Sequence, residues 1–161
     1  MTFLEIKPRL VELETAYQSE TDPIKSLMLA KLAILEASGW IEEYIDSIVQ
    51  DYLNIKNPAS KEKIKEKLSK TYGFKYSTEF KAIWVIIIGS ILFDKIEASI
   101  PKECQQLESA LNQLKKSRDI SAHTYMKIST SIDSPNTVIR LLDQIEKSLN
   151  AFTGNLKLLP I

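Results

Sequence analysis

The chain has very few of the residues that build disulfides and metal sites. Its 161 residues include one cysteine, Cys104, and one histidine, His123. A single cysteine excludes a disulfide within the chain, which fits a reducing, cytoplasmic setting. Structural zinc sites need four ligands that are mostly Cys and His, so the sequence predicts no metal site within one protomer.

The chain also lacks an excess of charge of either sign and a long hydrophobic run. Lys plus Arg and Asp plus Glu number 21 each, so only a local patch could attract nucleic acid. The most apolar run, Ala82 to Phe93, is shorter than the ~20 residues that span a bilayer, which predicts no membrane partner. Residues 1–14 carry early charges and no long apolar core, which predicts that they are not a signal peptide.

Apolar residues recur at three- and four-residue steps through most of the chain, as in amphipathic helices. The pattern predicts helices over 3–18, 24–53, 60–70, 78–99, 101–118 and 135–153, with a tail over 155–161. Residues 83–88 alone would also suit a buried strand, but their flanking residues favour a helix. Only 4 Gly and 6 Pro occur, and no linker divides the chain. The sequence therefore predicts one all-α domain over 1–161, a bundle of five or six helices.

The only histidine follows an arginine by five residues, in the stretch Arg118-Asp119-Ile120-Ser121-Ala122-His123. Arginine has a permanent charge and a planar fork of donors that fits phosphate oxygens. Histidine titrates near neutral pH and can give or take a proton. Together they could bind a phosphodiester and move protons around it. The alternative is a surface cation and a capping or core residue at a helix end.

The charges around this stretch are locally basic. The basic residues are Lys115, Lys116, Arg118 and Lys127, and Asp119 is the one acidic residue between them in the sequence. Such a cluster can attract a phosphate backbone, so Lys115, Lys116 and Lys127 are candidate RNA contacts. The same residues also suit the negative end of a helix dipole, and the sequence leaves both interpretations open.

The motif R-x4-H between the last two helices of a short helical bundle resembles the HEPN superfamily. Tyr125 extends it to R-x4-H-x-Y, which is similar to HEPN toxins paired with a minimal nucleotidyltransferase antitoxin. The resemblance covers nearly the whole chain in layout but only about six residues in motif. Asp119 and Thr124 depart from it, since the family often has Asn and Gly there.

The resemblance implies a cytoplasmic homodimer that cleaves RNA, such as tRNA or mRNA, without metal or another cofactor, as a toxin or anti-phage effector. Arg118 and His123 from both protomers would share a cleft on the two-fold axis, and Tyr125 would be the hydroxyl that an antitoxin partner modifies. The alternative that the family offers is a non-catalytic module that binds a nucleotide or a nucleotidyltransferase partner. A third possibility is a helical interaction domain with no site.

Two geometric questions stay open in the sequence. Residues five apart on a regular helix differ by about 140° around its axis, so Arg118 and His123 would not share a face. The helix could distort near Ser121, Arg118 could reach round, or a dimer could complete the site. Glu36, near Trp40 on the long second helix, could steady Arg118 or form a local ion pair.

Overall fold

The computed structural model describes residues 2–56, 62, 73–123 and 131–159, and this part of the chain contains helices and no strand. The prediction of an all-α bundle is confirmed. The six α-helices and one π-helical turn are α1 (Phe3–Ser19), α2 (Pro23–Lys56), the π turn (Tyr76–Phe80), α3 (Lys81–Ile88), α4 (Ser90–Ser99), α5 (Pro101–His123) and α6 (Pro135–Leu158). The helix predicted over 60–70 lies outside the described residues, except for Glu62.

Two helices begin at a proline that follows a capping side chain. The Asp22 carboxylate accepts a hydrogen bond from the Ile24 backbone N–H at 2.9 Å, just before the first residues of α2. The Ser134 hydroxyl accepts one from the Thr137 backbone N–H at 3.3 Å before α6. Each cap satisfies an amide that would have no partner within the helix, and proline at the first helical position loses no hydrogen bond.

The segment predicted as one helix over 78–99 is divided. It opens as the π turn, continues as α3 and breaks at Gly89, whose φ of 82° lies in the region that favours glycine. The apolar run is thus helical rather than a strand, but it forms two helices with different directions. Within the described ranges, no helix combines the length and apolar character needed to cross a bilayer.

The last helix extends further than its glycine suggested. It was expected to end before Gly154, but α6 runs through that residue to Leu158. Glycine within a helix costs about 1 kcal/mol relative to alanine. Burial of Phe152 and Leu156 on either side of Gly154 offsets this cost, because both side chains pack into the core.

The core lies where α2, α5 and α6 pack together, with α1 against α2 and α6. Phe152 of α6 is the centre of an aromatic cluster with Phe80, Trp84 and Phe93, at ring-centre distances of 5.1–5.8 Å. Trp40 lies in a second cluster with Phe3 and Tyr44. Both tryptophans are buried, so they are core residues rather than exposed platforms on which bases could stack.

Candidate functional site at the end of helix α5

The buried stripe of α5 changes from apolar to polar towards the end of the helix. Leu107, Leu111 and Leu114 are fully buried, but the next positions of the stripe are Ser117 and Ser121, which are also buried. The Ser117 hydroxyl donates a short hydrogen bond to the carboxylate of Asp133, just before α6. The Ser121 hydroxyl is buried without a hydrogen-bond partner among the described residues. The last turns of α5 thus pack through polar groups rather than leucines.

Arg118 lies on the flank of this polar end, with 37% of its side chain exposed. Its guanidinium is 3.8 Å from a carboxylate oxygen of Glu42 on α2 and 3.6 Å from one of Asp119. Both distances exceed those of a hydrogen bond, so the two carboxylates attract the guanidinium without occupying its donor fork in a bidentate pair. Within the described part of the chain, Arg118 therefore keeps N–H groups that could donate hydrogen bonds to a phosphate.

Asp119 is bound more tightly by Lys115 than by Arg118. The Lys115 ammonium contacts both Asp119 carboxylate oxygens, at 2.6 and 2.7 Å, across one turn of α5. The negative charge of Asp119 is thus largely offset by a cation on the same helix. This contact also engages Lys115, one of the predicted RNA contacts, whereas its neighbour Lys116 is exposed.

Two hollows flank the ridge formed by Lys116 and Ile120. One, of about 490 Å³, lies between α5 and the π turn and is also lined by Lys75, Thr78 and Glu79. The other, of about 310 Å³, lies between α5 and the segment before α6 and is lined by Ser117 and Asp133, among others. Both hollows have mixed polar and apolar walls, so the surface around the end of α5 is concave on either side of an exposed lysine.

His123 is the last residue of α5, and the helix continues past Ser121 without a break. This excludes a helix end at Ser121 as the way to align the motif. Arg118 and His123 therefore occupy helix positions about 140° apart. The side chain of His123 and all of Tyr125 and Lys127 lie outside the described residues, so their predicted roles remain predictions.

Glu36, predicted as an accessory residue near Arg118, lies elsewhere. Its carboxylate is 3.9 Å from the guanidinium of Arg9 on α1, and both residues line a groove between α1 and α2. Glu42, six residues further along α2, is the glutamate beside Arg118. Six residues turn a helix by about 600°, so the two carboxylates point in directions that differ by about 120°.

Glu42, Ser117 and Asp133 were not identified from the sequence. A signal existed for Ser117, since a serine at the next position of a leucine stripe indicates a buried hydroxyl that needs a partner. No sequence signal distinguished Glu42 from Glu36 or Glu43, because the choice depends on which face of α2 packs near α5.

No three His, Cys, Asp or Glu side chains come together as metal ligands in the described ranges. Cys104 is buried, and burial raises the pKa of its thiol, which disfavours the reactive thiolate. Burial and the hydrogen bond to Glu97 also raise the pKa of Tyr76, which connects the π turn to α4. Both shifts favour the neutral form of the group.

No protein-family model, curated protein or solved structure matches this chain.

Proposed function

We propose that the protein is a metal-independent RNA endonuclease of the HEPN type, acting as a toxin or anti-phage effector. Arg118 would stabilise charge on the phosphate, and His123 would act as general base or acid. Lys115, Lys116 and Lys127 would contact the RNA backbone. The motif and the helical bundle support this proposal, and the resemblance supplies the reaction.

The reaction needs two proton transfers. A base removes the proton of the ribose 2′-hydroxyl, whose oxygen then attacks the adjacent phosphorus. An acid protonates the departing 5′-oxygen, which leaves a 2′,3′-cyclic phosphate and a 5′-hydroxyl. Positive charge stabilises the phosphorane oxygens as charge develops on them. A substrate without a 2′-hydroxyl cannot react, so the substrate is RNA.

The single histidine makes a homodimer part of the proposal. One protomer cannot supply two histidines, one as base and one as acid. A two-fold axis near the end of α5 would bring a second Arg118 and a second His123 to the same cleft. The separation of about 140° between these two helix positions is compatible with a site that two protomers complete together.

The observation that carries the proposal is the state of Arg118. Its guanidinium is part-exposed, it is beyond hydrogen-bond distance from both neighbouring carboxylates, and it is on the same helix as the only histidine. A purely structural arginine is typically held by short, bidentate contacts. Arg118 instead is 37% exposed, with both neighbouring carboxylates beyond hydrogen-bond distance, beside the exposed Lys116.

The test is incubation of the purified protein with total RNA and with tRNA in EDTA. We expect the wild type to produce fragments with 2′,3′-cyclic phosphate ends, Arg118→Ala to produce them about 10²–10³-fold more slowly, and His123→Ala to produce none. Arg140→Ala is the matched control, because it removes an exposed arginine from α6 and should leave cleavage unchanged. Absence of cleavage by a folded wild-type protein, or equal cleavage by His123→Ala, would exclude the proposal.

A second candidate is favoured by the two carboxylates near Arg118. Glu42 and Asp119 compete with a phosphate for the guanidinium, as expected if the surface binds a partner rather than RNA. The protein would then be a non-catalytic module that binds a nucleotidyltransferase-type antitoxin. RNA cleavage by the wild type that is lost or strongly reduced in both motif variants excludes it. A stable complex with such an antitoxin, without RNA cleavage by the free protein, would support it.

A further inference from the structure

The first half of α2 exposes a continuous apolar stripe between α1 and α5. Ile24, Met28, Leu32 and Leu35 are each 38–52% exposed, and they recur at steps of three and four residues on one face. Gly39 continues this face, and a Cβ atom added there would meet no atom within 4 Å. The stripe is about 22 Å long, and at its end Leu35 and Gly39 also line the groove between α1 and α2.

Charges divide the stripe into a basic end and an acidic end. Lys25 flanks its beginning, Lys31 lies near its middle, and Glu42, Glu43 and the exposed Asp46 follow its end. Lys25 and Glu43 are 18 residues apart, about five full turns, so they lie on the same flank of the helix. Lys31 and Glu42 lie on the opposite flank. The flank of Lys25 and Glu43 therefore carries a lysine at one end and a glutamate at the other.

We infer that this stripe is a self-association surface, on which α2 of a second copy packs in the antiparallel direction. A two-fold axis between Leu32 and Leu35 interleaves these leucines with their equivalents and sets Met28 level with the partner's open Gly39. Antiparallel packing keeps each flank against the same flank of the partner, so Lys25 lies level with the partner's Glu43. Parallel packing would instead set Glu43 beside the partner's Glu42, which is repulsive.

The basic and acidic ends are what identify a second copy as the occupant. When a second copy of the helix is turned end for end, its acidic end meets the basic end of the first copy. An isologous two-fold interface requires such a self-complementary surface. Close approach is possible at Gly39, where the absence of a side chain lets a partner's Met28 reach the helix backbone.

This pairing is separate from the cleft in the proposed function and does not depend on it. Glu42 and the adjacent Arg118 lie about 8.5 residues from the two-fold axis, so the two copies of the pair are about 25 Å apart along α2. Pairing through α2 thus does not join the two motifs. A chain with both surfaces would assemble beyond a dimer.

Sedimentation equilibrium of the full chain over a wide concentration range tests the pairing. We expect Leu32→Glu to halve the mass of the wild-type assembly, because a charge buried without a partner weakens an interface by more than about 100-fold. Val11→Glu is the matched control, since it makes the same change at an exposed position of α1 and should leave the mass unchanged. A wild type that is monomeric at all concentrations, or a Leu32→Glu variant with the wild-type mass, overturns the inference.

Charge reversal tests the antiparallel direction and does not depend on the leucine variant. Lys25→Glu and Glu43→Lys should each weaken association about three- to tenfold, because each sets like charges opposite one another. The double variant should recover the wild-type association constant, and a double variant as weak as both single changes combined would overturn the antiparallel arrangement. RNA cleavage by Leu32→Glu is read separately, since it reports on the proposed function and not on this surface.

Discussion

The first turns of α5 and its last turns bury side chains along the same stripe but use opposite chemistry. Leu107, Leu111 and Leu114 exclude water completely, whereas Ser117 and Ser121 bury hydroxyls a few residues later. The leucine half gains stability from burial of apolar surface. The serine half gains less and requires specific partners, yet it is the half that carries Arg118. The leucine half of α5 thus provides apolar burial, whereas the serine half carries the site of the proposed function.

The largest effect that this comparison predicts is on stability at the leucine end. Leu111→Ala should lower the free energy of unfolding by about 2–5 kcal/mol, because it leaves a cavity among fully buried side chains. Urea denaturation measures the loss. Gln113→Ala, at an exposed position of the same helix, is the control and should change stability by less than about 0.5 kcal/mol. A loss below about 1 kcal/mol for Leu111→Ala would mean that the leucine half is not the stable one.

The next effect is on activity at the polar end. Arg118→Ala should lower the rate of RNA cleavage by about 10²–10³-fold, as expected for removal of a group that stabilises charge in the transition state. Its free energy of unfolding should change by less than about 1 kcal/mol, because its two ion pairs are loose and part-exposed. Cleavage assays and urea denaturation on one preparation measure both quantities. A large loss of stability would instead assign Arg118 to the packing of α2 against α5.

A smaller effect is expected at the boundary between the two halves. Ser117→Ala removes the hydrogen bond to Asp133 and should cost about 1–3 kcal/mol, since the carboxylate loses a close donor. Asp133→Asn keeps an acceptor there and should cost less. Thermal and urea unfolding of the two variants compare them. Equal stability of Ser117→Ala and the wild type would show that the polar stripe does not hold α5 against the start of α6.

The smallest effect concerns the charge balance around Arg118. Asp119→Asn should strengthen RNA binding about threefold at low salt, because it removes a negative charge held by Lys115 and near Arg118. Binding of a non-cleavable RNA, followed by fluorescence anisotropy at several salt concentrations, measures the change. Weaker binding would show that Asp119 orients Arg118 more than it repels phosphate.

Helix starts were predictable because their signals are local. Asp22-Pro23 and Ser134-Pro135 specify where α2 and α6 begin through a side chain and a backbone angle within three residues. The glycines were less predictable. Gly39, Gly89 and Gly154 all lie in apolar periodic segments, yet only Gly89 breaks its helix, with a φ of 82°. Buried neighbours keep the other two helical, and that burial depends on distant parts of the chain.

The motif itself could be read from the sequence, but its surroundings could not. The identities and spacing of Arg118, Asp119 and His123 are given by the sequence. The angle of about 140° between Arg118 and His123 around the helix axis follows once the segment is known to be helical. The Lys115–Asp119 contact follows from i, i+4 spacing on that helix. These features are local because the helix repeats every few residues.

Which carboxylate stands beside Arg118 was decided by tertiary structure alone. Glu36 and Glu42 are chemically equivalent and lie on one helix, but α2 directs the first towards Arg9 of α1 and the second towards α5. The hydrogen bond between Ser117 and Asp133 likewise joins α5 to the segment before α6. The amino-acid order specifies which residues share a helix face, whereas the packing of several helices, driven by burial of their apolar stripes, selects what each polar face meets.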